Sequence, residues 1–313
     1  MHAAILLATY CSLSILASLS GGWVPLVVRL THRRMQFAIS FVSGVMLGIG
    51  MLHLLPHSFE ALHSIDRTVG WALAGFLFMF FLERFFHFHH HDVGDSPLAD
   101  DATAHDHVHH DHAHDDHGHR HEQVRTGSSF PWGGAIVGLT LHGLIDGVAM
   151  AAAVQAESGL VAWAGLGTFV AIVLHKPFDS LTIGTLMAAG GRSPALRHVL
   201  NALYSLVTPL GVVLFFAASQ TVGQPDEGLG QVLGFAAGAF ICIATSDLLP
   251  ELQFHRHDRL TLSAALIAGI AVAWGTVWLE GGHDHSHSPS PVHEVGHDHD
   301  GHDHEVGPGH QQD

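Results

Sequence analysis

The sequence has few charged residues, fewer still that are basic, and almost no cysteine. Asp, Glu, Lys and Arg make up 13% of the 313 residues, about half the share that is usual in a soluble protein. Only 12 residues are Lys or Arg, against 28 that are Asp or Glu, so the chain lacks the basic surface by which proteins bind nucleic acid. The two cysteines, Cys11 and Cys242, lie in apolar stretches, and we interpret them as small packed side chains rather than a disulfide.

Apolar residues are abundant, at 48% of the chain, and they come in long blocks rather than periodic stripes. This pattern predicts an all-α integral membrane protein. The first block begins next to Met1 without a basic segment before it, which favours a retained membrane helix over a cleaved signal peptide. Eight blocks are long enough to cross about 30 Å of hydrocarbon: residues 3–28, 37–62, 68–86, 131–157, 160–189, 196–220, 228–252 and 260–280.

Basic residues are distributed unevenly over the connections between these blocks. Ten of the 12 fall on alternate connections, the opposite connections hold only Arg67, and Lys176 lies inside the fifth block. Because connections rich in Lys and Arg stay in the cytoplasm, this distribution predicts that both termini are outside. It also places the connection between the third and fourth spans, residues 87–128, in the cytoplasm.

Two polar segments interrupt or follow the apolar blocks. Thirteen histidines lie between His87 and His121, nine more follow residue 280, and residues 92–122 and 281–313 together hold 16 of the 28 acids. We predict both segments to be disordered. Dense His with interleaved Asp is typical of metal binding, and the alternative is a solvated acidic linker. The predicted domains are residues 1–86 with spans one to three, the cytoplasmic His-rich loop 87–128, residues 129–280 with spans four to eight and the metal site, and the extracytoplasmic His-rich tail 281–313.

The fourth and fifth blocks each contain a His followed four residues later by an Asp: His142 with Asp146, and His175 with Asp179. An Asp at the centre of a membrane costs about 2.5–3.5 kcal/mol, so these carboxylates need a partner. Counting along two antiparallel helices places His142 level with Asp179 and Asp146 level with His175, about 15–23 Å from the cytoplasmic ends. Two His and two Asp suit a four-coordinate divalent ion such as zinc. The alternative is a structural polar core in which Asp146 pairs with Lys176.

Further polar residues lie within the apolar blocks on either side of this position. His53, His57 and Glu60 fall in the outer half of the second block, and Asp247 and Glu251 fall at the inner end of the seventh. Each of them alone is typical of a helix end. Together they predict relay points for an ion that enters and leaves the central position.

At these residues the chain resembles the ZIP family of divalent metal transporters. The specific part is HGLIDG at 142–147 and HKPFD at 175–179, and weaker similarities are HLLP at 53–56, TPLG at 208–211 and DLLPE at 247–251. The resemblance implies uptake of zinc-type ions into the cytoplasm. It also implies a site shared by the fourth and fifth helices and rigid-body movement of one helix bundle against another.

The chain departs from the family pattern beside the ligands. Gly143 stands where many members have Asn, and Pro177 comes one position early. Lys176 stands where some members have an acidic ligand of a second metal, and Thr208 stands where some have Glu. The resemblance therefore implies a mononuclear centre in this chain, with the Lys176 ammonium in place of a second ion.

The predicted function is transport of divalent metal ions, with zinc as the substrate and Fe²⁺, Mn²⁺ and Cd²⁺ as other candidates. The location is a membrane crossed many times, the inner membrane in a bacterial cell. The oligomeric state stays open, and a homodimer is one arrangement. One alternative is an exporter resembling cation diffusion facilitators, which have six spans and a folded cytoplasmic domain. Another is an intramembrane zinc hydrolase, but such an enzyme needs an open coordination position and a general base, and the sequence has no HExxH.

Overall fold

The computed structural model describes residues 2–27, 31–86, 131–220, 225–254 and 259–280. All regular secondary structure in these ranges is helical, which confirms the predicted all-α class. Residues Gly50–Leu54 form a π-helical turn between the second and third α-helices. The α-helices are α1 His2–Val27, α2 His32–Ile49, α3 Leu55–Leu62, α4 Ile65–Phe86, α5 Pro131–Glu157, α6 Leu166–Ala189, α7 Pro194–Ser205, α8 Val207–Ser219, α9 Pro225–Phe254 and α10 Arg259–Leu279.

Within the described ranges, seven helical segments are long and apolar enough to cross a membrane, and they correspond to all predicted spans except the fifth. The predicted fifth span coincides with helix α6, whose His175, Lys176 and Asp179 lower its hydropathy. Helix α6 begins at Leu166 rather than at the predicted residue 160, because residues 158–165 form a turn in which Gly159 and Gly165 have positive φ. The predicted loop 87–128 and tail 281–313 lie outside the described residues.

Prolines account for the breaks in the second and sixth spans. Pro56, the second residue of α3, has no N–H to donate to the carbonyl four residues earlier, and the π turn ends two residues before it at Leu54. In the sixth span α7 ends at Ser205 and α8 begins at Val207, where Pro209 likewise leaves the Ser205 carbonyl without its helical donor. Helix α6 instead continues through Pro177.

Glycines bring neighbouring helices into backbone contact. A side chain on Gly147 of α5 would strike the backbone carbonyl of Thr208 on α8, and one on Gly211 of α8 would strike that of Leu144 on α5. The same reciprocal arrangement joins α2 to α10 and α4 to α9. Small residues allow such close approach in membranes, where packing rather than the hydrophobic effect holds helices together.

The middle of helix α5 is completely enclosed by the described part of the fold. Every residue from Ala149 to Val154 is at most 1% exposed, so this part of α5 is surrounded by protein on all sides. The outer helices instead expose large apolar side chains, such as Leu260 and Trp278 on α10. A polar group on the buried faces of α5 therefore contacts protein rather than lipid.

Candidate metal centre

Four side chains from two adjacent helices converge inside the bundle. His142 and Asp146 come from α5, and His175 and Asp179 come from α6. All four are buried, with at most 7% of each residue exposed. One ligand atom from each lies within 4.8 Å of the others, a spacing that suits the ligands of one metal ion.

The contacts between the two helices follow the depths that the sequence predicted. His175 Nε2 lies 3.2 Å from Asp146 Oδ2, and His142 Nε2 lies 3.6 Å from Asp179 Oδ2. Within each helix, the His and Asp four residues apart also face the same point, at 3.6 Å on α5 and 3.9 Å on α6. The structure thus brings the four residues together, and their role as metal ligands stays a prediction.

The orientation of the histidines favours a cation between them and the aspartates. His175 Nδ1 lies 2.8 Å from the carbonyl oxygen of Ala171, which only accepts, so Nδ1 carries a proton and points away from the centre. In the neutral ring Nε2 then turns a lone pair towards Asp146, an arrangement that a cation stabilises. His142 Nδ1 and Asp146 Oδ1 are buried without a hydrogen-bond partner among the described residues.

Lys176 is the second feature of the centre, and it is 1% exposed. Its ammonium lies 2.6 Å from Asp146 Oδ2 and 3.5 Å from Asp179 Oδ2. The ion pair that the sequence offered as a structural alternative is therefore present. One ammonium does not balance two carboxylates, however, so with neutral histidines the cluster keeps one negative charge. The pair and a bound cation are compatible.

Residues beside the ligands shape this arrangement. A side chain on Gly143 would approach Lys176 Nζ to 3.2 Å, so the glycine leaves room for the ammonium. Tyr204 on α7 donates a hydrogen bond of 2.9 Å to Asp179 and was missed by the sequence analysis. A tyrosine inside an apolar block, whose hydroxyl needs a partner, was the available signal. Thr208 is buried, and its hydroxyl has no partner among the described residues.

The predicted relay residues divide into two groups. His53 and His57 meet Glu157 in a second group of metal-ligand type, and Glu60 lies 3.1 Å from His57. Sequence reasoning missed Glu157, although it follows Asp146 by 11 residues, about three turns, and so shares its helix face. Asp247 and Glu251 belong to α9, and their side chains lie outside the described part of the structure.

Known proteins provide an independent comparison. The family model described as "ZIP Zinc transporter" matches residues 5–277. Zinc transporter ZIP9 of Micropogonias undulatus is 29% identical over 210 residues, 65% of this chain and 56% of that protein. Zinc transporter ZIP1 of Homo sapiens is 24% identical over 264 residues, 80% of each chain. Zinc transporter ZIP9-B of Xenopus laevis is 27% identical over 297 residues, 80% of this chain and 88% of that protein.

These matches confirm the resemblance that the two His–Asp motifs predicted. Nearly the whole described fold falls within the matched residues, and the relatives are zinc transporters by name. The protein is a zinc transporter of a membrane that it crosses several times, and it is not an enzyme. The chain belongs to the ZIP family of zinc transporters.

Proposed function

We propose that this protein carries zinc into the cytoplasm through one position bound by His142, Asp146, His175 and Asp179. The convergence of their buried ligand atoms supports this proposal. Zinc takes N and O ligands at about 2.0–2.2 Å in a tetrahedron, whose ligand atoms are then about 3.4 Å apart. The four His–Asp distances of 3.2, 3.6, 3.6 and 3.9 Å scatter around that value.

We further propose that Lys176 keeps the centre mononuclear. Its ammonium lies against Asp146, where it holds the carboxylate ionised and ready for zinc. A second divalent ion a few ångströms away would be repelled strongly, since a buried site is poorly screened. Replacement of Lys176 by Asp should therefore raise the number of metal ions at the centre from one to two.

The proposed membrane arrangement includes α6 as an eighth span. Its 24 residues extend about 36 Å, enough to cross the hydrocarbon, and its polar residues face α5 rather than lipid. The ten-to-one distribution of basic residues supports termini outside and residues 87–128 in the cytoplasm. Zinc then enters beside the C-terminal end of α5 and leaves beside its N-terminal end. Fe²⁺, Mn²⁺ and Cd²⁺ are further candidate substrates, because imidazole and carboxylate bind several divalent metals.

Zinc flux into proteoliposomes tests the proposal. Alanine at each of the four ligand positions should abolish uptake even at saturating zinc, while the variants still insert and purify as folded protein. His198→Ala is the matched control, because His198 is a histidine exposed on α7. Normal uptake by all four ligand variants would rule the proposal out. Zinc flux that runs only from the cytoplasmic face to the outer face of uniformly oriented protein, when an outward gradient and an inward gradient are compared, would rule out the direction.

A further inference from the structure

A second cluster of buried titratable side chains lies where several helices end, and we call it the terminal cluster. It consists of His53 from the π turn, His57 from α3, Glu157 at the end of α5 and Glu280 just after α10. His53, Glu157 and Glu280 are at most 7% exposed. Such burial is costly for a carboxylate unless a cation or hydrogen-bond donors compensate it.

Three ligand atoms of the terminal cluster point at a common position. Glu157 Oε1 lies 2.8 Å from His53 Nε2 and 3.3 Å from His57 Nε2. Despite the short distance, neither His53 Nε2 nor Glu157 Oε1 makes a properly directed hydrogen bond within the described residues. The atoms thus converge as ligands of one ion do.

Each of the two histidines has a carboxylate beside its other ring nitrogen. His57 Nδ1 makes a hydrogen bond of 3.1 Å with Glu60 Oε2. His53 Nδ1 lies 3.2 Å from Glu280 Oε2, without a properly directed hydrogen bond. Metal-binding histidines almost always place the second ring nitrogen against a carboxylate, carbonyl or water, which leaves the other nitrogen for the metal. In both rings the nitrogen beside Glu157 Oε1 is Nε2.

Backbone N–H groups hold the two buried carboxylates of the terminal cluster in place. Glu157 Oε2 accepts a hydrogen bond of 2.8 Å from the backbone N–H of Gly165, and Glu280 Oε1 accepts one of 2.8 Å from Gly167. These bonds use one oxygen of each carboxylate and leave the other facing the histidines. The end of the turn before α6 and the first residues of α6 therefore position the acidic half of the terminal cluster.

The charge of the terminal cluster differs from that of the central site. Among the described residues, the ion pairs of Glu157 and Glu280 are all made with His53 and His57, whereas Lys176 contributes a permanent positive charge at the centre. With neutral histidines the two buried carboxylates leave a charge of −2. One divalent cation would neutralise it.

We propose that His53, His57 and Glu157 bind a divalent cation at a second site. Glu157 follows Asp146 by 11 residues, so the two sites lie about 16 Å apart along α5. Three protein ligands leave a coordination position open for water, which suits an ion that binds briefly and moves on. The proposed transport function names the ion as zinc and makes this the site that zinc occupies before the central one.

Uptake kinetics of the full-length protein in proteoliposomes test the second site. Glu157→Gln keeps an oxygen for the Gly165 N–H and removes the charge. It should lower kcat/KM for zinc about tenfold, with kcat at saturating zinc within about twofold. Glu227→Gln, which neutralises an exposed carboxylate paired with Arg67, should leave kcat/KM unchanged. His57→Cys replaces imidazole by a softer ligand and should shift the ratio of the cadmium to the zinc kcat/KM in favour of cadmium, whereas His57→Ala should lower both.

The outcomes separate this inference from the proposed function. Equal kcat/KM in the Glu157 and Glu227 variants would overturn the second site, and so would an unchanged metal preference in His57→Cys. A collapse of kcat in Glu157→Gln would also overturn it, because the residue would then serve the fold or the transport step. If the central-site variants transport normally while these shifts in kcat/KM occur, the terminal cluster stands and the central proposal fails.

Discussion

Lys176→Met is the perturbation whose size follows most directly from the structure. The ammonium is buried and lies 2.6 Å from Asp146 and 3.5 Å from Asp179. Removal of one partner from a buried ion pair costs about 3–5 kcal/mol, because the remaining charge stays buried without compensation. For a domain of this size that corresponds to a fall in the melting temperature on the order of 10 °C in the absence of metal.

Zinc should restore much of the lost stability. A ligand that binds only the folded state adds about 2.7 kcal/mol to the free energy of unfolding when its concentration is a hundred times its dissociation constant. Zinc should stabilise the variant more than the natural protein, because it replaces the missing positive charge. Zinc that the His-rich segments would bind in folded and unfolded chains alike would contribute little to this difference. The zinc-induced rise in melting temperature should therefore be larger for Lys176→Met than for the natural protein.

Thermal unfolding of detergent-purified protein, with chelator and with zinc, provides the measurement. Arg67→Met is the matched control, because it removes an equally close ion pair, 2.7 Å from Glu227, on the exposed surface. Exposed ion pairs contribute little to the free energy of unfolding, since water and salt screen them. If the two variants lose the same stability, or if zinc stabilises Lys176→Met no more than the natural protein, the account of the buried ammonium is wrong.

Three further predictions address packing, ligand support and the His-rich loop. Gly147→Ala should destabilise the protein by about 2 kcal/mol or more in thermal unfolding, whereas Gly184→Ala, at a helical position with nothing within 4 Å, should be neutral or stabilising. Tyr204→Phe removes the hydrogen bond to Asp179 and should weaken zinc binding about tenfold in uptake titrations; an unchanged titration would contradict the supporting role. Deletion of residues 92–122 should preserve zinc uptake and alter its regulation or apparent affinity, and complete loss in a folded deletion variant would show that the loop carries the ion.

The convergence of the four central side chains could be predicted because its information is local. The four-residue spacing of His142 and Asp146 places them on one helix face, and the same holds for His175 and Asp179. Counting 1.5 Å per residue from the helix ends then matched their depths. The contacts of His175 with Asp146 and of His142 with Asp179 agree with that count.

The terminal cluster could not be predicted in the same way. Glu157 ends an apolar block, where an acid is as typical of a solvated helix end as of a ligand. Its meeting with His53 depends on the π turn, which adds a residue to the second span, and on the turn before α6. Glu280, just after α10, reaches the terminal cluster where it accepts a hydrogen bond from the N–H of Gly167 in α6. These relations arise from tertiary structure, which neither spacing nor hydropathy encodes.

Hydropathy alone does not identify every predicted span. Helix α6 is not apolar enough to be counted as a span from composition, because His175, Lys176 and Asp179 are polar. Burial of Lys176 and Asp179 against α5 and α7 reconciles the helix with a membrane. Whether a helix with polar side chains can lie in a membrane therefore depends on the neighbouring helices that bury those side chains.

Anomalous diffraction at the zinc edge, from crystals of the full-length protein grown with zinc, tests the central claim most directly. It locates each ion individually, so zinc bound by the His-rich segments does not confuse the result. The account predicts one zinc ion between His142, Asp146, His175 and Asp179, at about 2.0–2.2 Å from its ligand atoms, with the Lys176 ammonium beside it. Two zinc ions at this centre, or none there in a preparation that transports zinc, would contradict it.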